Sequence, residues 1–597
     1  MGFAGRLAQR FLHSRLTPLL IIASLAVGAI AIVGTPREEE PQISVPMIDV
    51  IAALPGASPA EVENLLTRPL EQRMWEIPAV DHVYSMAGEG FTLVTVRFKV
   101  GEDQERSVTR VHAKLFADMD RMPAGALPPL VKPHSIDDVP ILTLTLSSGR
   151  YSSNELRQLA VHLEDEIRSV TDVAATTVTG GAPRQVRVDL DPARLTAAGV
   201  TPGEVALALT GANARLDAGE MQSAGASYRV QVGAPLATAA EVAAVVVSAR
   251  RGVPVYLRNV ATVREDFGER ESYVSHAAGD SGSAAAVTIS VAKRKGANAT
   301  VVAHRVLERV EQARARLLPA EVSVTETRNY GETAREKASE LILHLVIATL
   351  SVAVLIWLFL GWREAVVVLV AVPVTLALTL FSYYALGYTL NRITLFALIF
   401  SIGILVDDAI VVVENIYRHL QLGLKPPAEA AVDGVDEVGN PTILATFTVI
   451  AAILPMAFVS GLMGPYMRPI PVGASVAMLA SLAVAFIVTP YIALRLLRGH
   501  VVVSAAGRLG DSAGDEGRFA RFYRLMMQGL MARAGTRPIF YGGVVLLLFA
   551  SMGLVAIKLV QVKMLPFDNK SEFQVILDLP EGTTLETSAA LGAEVAG

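Results

Sequence analysis

Two adjacent aspartates sit inside a long apolar run, Ser401-Ile402-Gly403-Ile404-Leu405-Val406-Asp407-Asp408-Ala409-Ile410-Val411-Val412-Val413, and Glu414-Asn415 follow it. A charged aspartate at the centre of a membrane helix costs roughly 2.5–3.5 kcal/mol on insertion scales. Two adjacent like charges cost more, so the pair cannot stay doubly ionised without a cation close by. Asp407 and Asp408 therefore read as a coupled proton-binding unit, the chemistry a proton carrier requires. Helix glue by hydrogen bonding is the competing reading, but Asn or Ser would supply that at less cost. Gly403 precedes Asp407 by one turn and would let a neighbouring helix come close. An incidental small residue competes with that reading, since glycine is common in membrane helices. Glu414 and Asn415 read as interfacial anchors or helix-packing residues.

The elements that must hold this pair are legible in hydropathy. Apolar residues make up 52% of the 597-residue chain, which is high for a soluble protein of this length. About 20 apolar residues span a bilayer as a helix. Such runs fall at residues 17–34, 341–360, 365–386, 393–413, 443–462, 470–494 and 539–560. A signal peptide competes for the first, because Arg6, Arg10 and Arg15 precede it. No small-residue cleavage site follows, so an uncleaved first span is expected. The same arginines put the N-terminus inside. Counting spans then places 362–364, 418–440 and the arginine-rich 495–538 inside, whereas 387–392 and 463–469 hold one arginine each and fall outside. Residues 518–533 space aromatic and methionine side chains at helical intervals between arginines. They read either as an amphipathic helix on the inner surface or as an ordinary connector.

Residues 35–340 form one large external region. Alternation predicts strands over 92–98, 141–146 and 185–190, and amphipathic periodicity predicts helices over 58–73, 153–169 and 300–318. Ser58 and Glu61 have the spacing of a capping box, with Pro59 at the first helical position. This order suits ferredoxin-like units, an α+β architecture. After the first span, a β-like run over 47–53 leads to Leu54-Pro55-Gly56-Ala57-Ser58 and Glu61. After the seventh, a run over 573–578 leads to Leu579-Pro580-Glu581-Gly582-Thr583-Thr584 and Glu586. A truncated internal repeat is expected, with roughly half of a repeated protein present.

Other chemistries are bounded. The net charge of −5 gives no reason to expect nucleic acid, and the absence of cysteine excludes disulfides and zinc–thiolate sites in this chain. There is no phosphate-binding loop, so ATP is not the expected energy source. No cofactor, metal or enzymatic activity is expected.

The stretch Gly403-Ile404-Leu405-Val406-Asp407-Asp408-Ala409-Ile410-Val411-Val412-Val413-Glu414-Asn415 resembles the fourth-helix signature of the resistance-nodulation-division superfamily, in its hydrophobic/amphiphilic efflux branch. Leu54-Pro55-Gly56-Ala57, Ala371-Val372-Pro373-Val374, Leu454-Pro455-Met456-Ala457-Phe458 and Thr489-Pro490 add weaker likeness in the same order. The resemblance implies that Asp407 and Asp408 bind and release protons to drive efflux of small amphiphilic molecules. It implies a multi-pass inner-membrane protein with a large periplasmic domain, embedded in membrane lipid. The expected assembly is a homotrimer joined to a periplasmic adaptor and an outer-membrane channel. It divides the chain into the first span (1–34), two porter subdomains (35–135 and 136–330) and spans two to six (331–498). A cytoplasmic loop (499–538), the seventh span (539–560) and the start of a second periplasmic domain (561–597) follow. A docking insertion at about 181–271 is expected to carry a helix over 201–216 and a protruding hairpin over 219–232. The heavy-metal branch usually has one aspartate here, and the external region lacks methionine clusters beyond Met119 and Met122. Metal export and a non-pumping sensor of the same fold are the alternatives. The proton-site lysine of the family belongs to helices beyond Gly597, and the scattered aromatics of the external region do not make a hydrophobic drug pocket.

Overall fold

The computed structural model describes residues 1–596 apart from 40, 42, 135–137, 251, 279–281, 462, 508–517, 533–534, 561–571 and 581. Its extramembrane part repeats one strand–helix plan. The first unit runs β1 (Met47–Ala53), a helix, β2 (Val80–Gly88), β3 (Phe91–Phe98), a helix (Gln104–Ala117) and β4 (Leu130–His134). All neighbours are antiparallel, in the order β2-β3-β1-β4. Alternation fixes the faces. Thr92, Val94, Val96 and Phe98 of β3 point inward, where they meet Leu66, Leu70, Met74 and Val111 from the two helices. The first helix starts at Pro59 on the capping box, with Ser58 N–H donating to Glu61 at 2.8 Å. One widened turn, Glu63–Thr67, interrupts it, and the Thr67 hydroxyl donates to Thr92 in the sheet at 2.8 Å.

The second unit begins with β5 (Pro140–Ser148), a helix (Ser153–Arg168) and β6 (Val173–Thr179). An insertion follows, in which β7 (Arg184–Leu190) pairs along its whole length with a later strand. Between them lie β8 (Leu216–Ser223), β9 (Ala226–Val232), β10 (Val246–Arg250) and β11 (Val253–Tyr256), and β12 (Ala261–Phe267) closes on β7. The unit resumes with β13 (Ser275–Ala277), β14 (Ser283–Lys293), a helix (Ala299–Leu317) and β15 (Ser323–Asn329). The sheet order is β13-β14-β5-β15, with β6 also on β14. The insertion has its own small core around Leu195, Val205, Leu257 and Val260. Two expectations are corrected here. The helix expected over 201–216 is Pro202–Ala212, and the hairpin expected over 219–232 starts at Leu216, which pairs with Val232. Gly211 and Asn213 are poor helix formers, and the ladder claims Leu216. The β-like run at 573–578 lies in no ladder among the described residues. Alternation marks a segment fit for a sheet but does not supply its partner.

Seven helices among the described residues are long and apolar enough to cross a membrane. They are Leu16–Gly34, Tyr330–Phe359, Trp362–Ala385, Arg392–Leu422, Pro427–Phe458, Met463–Leu497 and Arg537–Ala556. The fourth is central and packs on the second, third, fifth and sixth, while the first packs on the third. That contact is tight, because a Cβ on Gly28 would lie 2.4 Å from the Ala377 Cβ. Pro373, Pro441 and Pro490 interrupt the third, fifth and sixth helices, and the fourth contains no proline. Several helices outrun their apolar windows. The fourth ends at Gly423 (φ 62°) and the fifth starts at Pro427, so the loop expected over 418–440 is mostly helix. Hydropathy marks the stretch that meets lipid, and polar helix ends continue past it. The helix expected over 518–533 is Arg518–Ala532, and residue 533 lies outside the described residues.

A separate helix, Phe3–Leu12, precedes the first span and buries Ala4, Ala8 and Leu12. Asp436 of the fifth span accepts from its free Gly2 and Gly5 N–H groups at 2.6 and 3.2 Å, as a side-chain cap does. At the opposite end of the bundle, residues just after the first span meet the extramembrane domain. There Lys293 Nζ lies 2.8 Å from Glu38, and the two side chains are 7% and 4% exposed. Removing one partner of such a buried pair costs about 3–5 kcal/mol.

The arginine placement yields a topology prediction. Reporter fusions near residue 200 should read outside, and fusions near 430 and 515 inside. A cytoplasmic signal near 200 would overturn the orientation.

Candidate proton site in the fourth span

The helix Arg392–Leu422 is fixed at both ends by its own sequence. Asn391 caps it by accepting from the Ile393 and Thr394 N–H groups at 3.0 Å each, and Gly423 ends it in the left-handed conformation. Leu405, Val406, Ala409, Val412 and Val413 are buried against neighbouring helices. The opposite stripe is open in this chain. It runs Phe396, Phe400, Gly403, Asp407, Val411 and Glu414, at steps of three or four residues along one helical face.

The two aspartates thus have different surroundings, as successive residues about 100° apart on a helix must. Asp407 lies on the open stripe. Asp408 is half-buried and faces Thr446 of the fifth span and Ser481 of the sixth. Both hydroxyl residues are buried. The Thr446 hydroxyl donates to the Thr442 carbonyl at 2.9 Å and Ser481 to the Leu405 carbonyl at 2.8 Å. Each hydroxyl has one proton and two lone pairs. While those protons serve carbonyls, the oxygens can accept from a protonated Asp408. Rotated toward Asp408, the same groups can donate to an ionised carboxylate. The environment can serve both protonation states without moving a backbone.

Gly403 sits on the open stripe, and a Cβ there would meet nothing within 4 Å among the described residues. Close helix approaches among the described residues occur elsewhere, for example at Gly28 and at Gly434, whose Cβ would lie 3.0 Å from the Ile416 Cα. Glu414 is exposed. Asn415 is a packing residue that donates to the Gly434 carbonyl at 2.7 Å and to Glu437 at 3.2 Å. Arg418 donates to both Glu437 oxygens at 2.8 and 2.9 Å, and His419 lies 2.6 Å from the same carboxylate. These contacts tie the fourth and fifth spans at the end away from the extramembrane domain. Sequence reasoning missed Thr446 and Ser481. The available signal was the threonine spacing Thr442-Thr446 and a serine, Ser481, midway along the sixth apolar run.

The chain matches the sequence pattern of the AcrB/AcrD/AcrF family over residues 8–597. It is 31% identical to the multidrug resistance protein MdtC of Pectobacterium atrosepticum, over 82% of this chain and 47% of that protein. To MdtC of Klebsiella pneumoniae it is 32% identical, over 86% of this chain and 51% of that protein. The chain spans about half the length of the curated relatives it matches. A pattern that covers nearly every residue, on a multi-pass bundle with two extramembrane strand–helix units, places this chain in the AcrB/AcrD/AcrF family of resistance-nodulation-division permeases.

Proposed function

We propose that this protein exports small amphiphilic compounds by proton/substrate antiport, with Asp407 and Asp408 as the proton relay. The observation that carries this reading is the Asp408 carboxyl between the Thr446 and Ser481 hydroxyls, inside a bundle of apolar helices. A carboxyl held where either protonation state finds hydrogen-bond partners can load and release a proton repeatedly. That the relatives are multidrug resistance proteins supports amphiphilic organic cargo. Gly403 is assigned to packing at the proton site through its open stripe, which no described residue covers. The protein is proposed to sit in the inner membrane as a homotrimer, joined to a periplasmic adaptor and an outer-membrane channel.

The two strand–helix units are proposed as ferredoxin-like porter subdomains, at 35–135 and 136–330. Their β-α-β-β-α-β order, with the first strand between the third and fourth, supports this. The insertion at about 181–271 is proposed as the docking element, and its exposed β8–β9 hairpin suits a contact with a neighbouring subunit.

The test is proton and substrate flux in inverted vesicles from cells that express the encoding gene. With an imposed pH gradient, a cationic amphiphilic dye should be transported and should speed collapse of the gradient. Transport that survives a potassium/proton exchanging ionophore and instead follows ATP would overturn the reading.

A further inference from the structure

Three segments distant in sequence meet where the membrane bundle joins the extramembrane domain. The linker after the first span pairs with the loop between the third and fourth spans. Leu390 N–H donates to the Pro36 carbonyl at 2.9 Å, and Glu38 N–H donates to the Leu390 carbonyl at 3.1 Å. Leu390 directly precedes Asn391, the cap of the aspartate-bearing helix. The start of that helix therefore hangs on the linker. On the other side, Glu38 Oε1 accepts from Lys293 Nζ at 2.8 Å, and Lys293 is the last residue of β14. Ala299, the first residue of the helix Ala299–Leu317, donates its N–H to the Arg37 carbonyl at 3.3 Å. One short linker thus holds the fourth span through backbone bonds and the second extramembrane sheet through a buried charge.

A purely structural tie at this place would be better served by two apolar side chains, which carry no desolvation cost. The second Glu38 oxygen sharpens that point, because Oε2 is buried with no hydrogen-bond partner among the described residues. It gives Lys293 another acceptor within the same carboxylate. The ammonium, on a flexible stem, can pass from one oxygen to the other without leaving the pair. Such a contact can slide while it still transmits force.

We propose that Glu38 and Lys293 form a sliding joint that passes axial movement of the fourth span to the extramembrane domain. The joint lies about 24 Å along the helix from Asp407, at 1.5 Å per residue from Asn391. It acts as a pair of positioning residues and rests on the proton-antiport reading above.

The experiment compares Glu38→Gln, Lys293→Met and the reversed pair Glu38→Lys/Lys293→Glu in the vesicle assay, with dye and proton flux measured together. Glu38→Gln and Lys293→Met are expected to dissipate the pH gradient but move roughly tenfold less dye per proton, a size typical of broken coupling. The reversed pair should regain much of the ratio. An unchanged dye-to-proton ratio in both single variants overturns the joint. Should those variants fail to reach the membrane, Glu38→Asp decides, since it keeps the charge but shortens the reach by one methylene. A parental ratio in Glu38→Asp overturns the proposal, and a lowered ratio supports it. Absence of proton-linked transport in the unaltered protein would instead remove the antiport reading itself.

Discussion

Asp408→Asn is expected to reach the membrane folded and to transport dye no faster than vesicles that lack the protein. The amide has the volume of the carboxyl and can still hydrogen-bond with the Thr446 and Ser481 hydroxyls, so packing among the fourth, fifth and sixth spans should hold. What it lacks is a proton to exchange at any accessible pH. Gradient-driven dye flux and dye-driven proton flux should both vanish, which separates lost coupling from lost substrate affinity. Asp407→Asn should also stop transport. It sits on the open stripe, so its effect on thermal stability should be the smaller of the two. If both single variants pump at the parental rate, the aspartates are structural and the proton crosses elsewhere.

Gly28→Leu should be the most damaging change to the bundle itself. A Cβ at Gly28 would lie 2.4 Å from the Ala377 Cβ and 2.7 Å from its Cα. The second of these is backbone, so no side-chain rotation relieves it. The first and third spans must separate, and overpacking of this kind costs about 1–3 kcal/mol or more. The expected result is a clear fall in the melting temperature of the detergent-solubilised protein, with less of it inserted. Gly28→Ala should show a milder fall, which Ala377→Gly partly reverses by removing one of the two clashing atoms. A parental melting temperature for Gly28→Leu would mean that the first span does not pack on the third as described.

Much of the architecture follows from local pattern. The apolar runs are helices because about 20 residues without charge have few other ways to satisfy their backbone in lipid. Strand alternation marked β3, β5 and β7, and the Ser58–Glu61 spacing marked a helix start, because each is a short-range effect. What escaped was pairing at a distance. Lys293 and Glu38 are 255 residues apart, and nothing in either neighbourhood names the other. Thr446 and Ser481 read as ordinary polar residues of apolar helices until the fold turns both toward Asp408. The short helix Phe3–Leu12 was hidden by its arginines, which looked like the charged flank of the first span. For Gly403 the sequence is silent for a related reason. A small residue permits a close approach, but only the packing reveals whether a partner arrives.

The placement of the prolines has a mechanical meaning. A proline inside a helix cannot donate to the carbonyl four residues earlier, so Leu369, Glu437 and Phe486 each lose that backbone donor. The three helices so interrupted are the third, fifth and sixth, which pack around the fourth. The aspartate-bearing helix keeps its full ladder. Like the second span, it is uninterrupted and therefore stiff, whereas the third, fifth and sixth spans beside it are the compliant ones. A load placed on the fourth span would travel along it as along a rod, while the surrounding helices flex to let it pass.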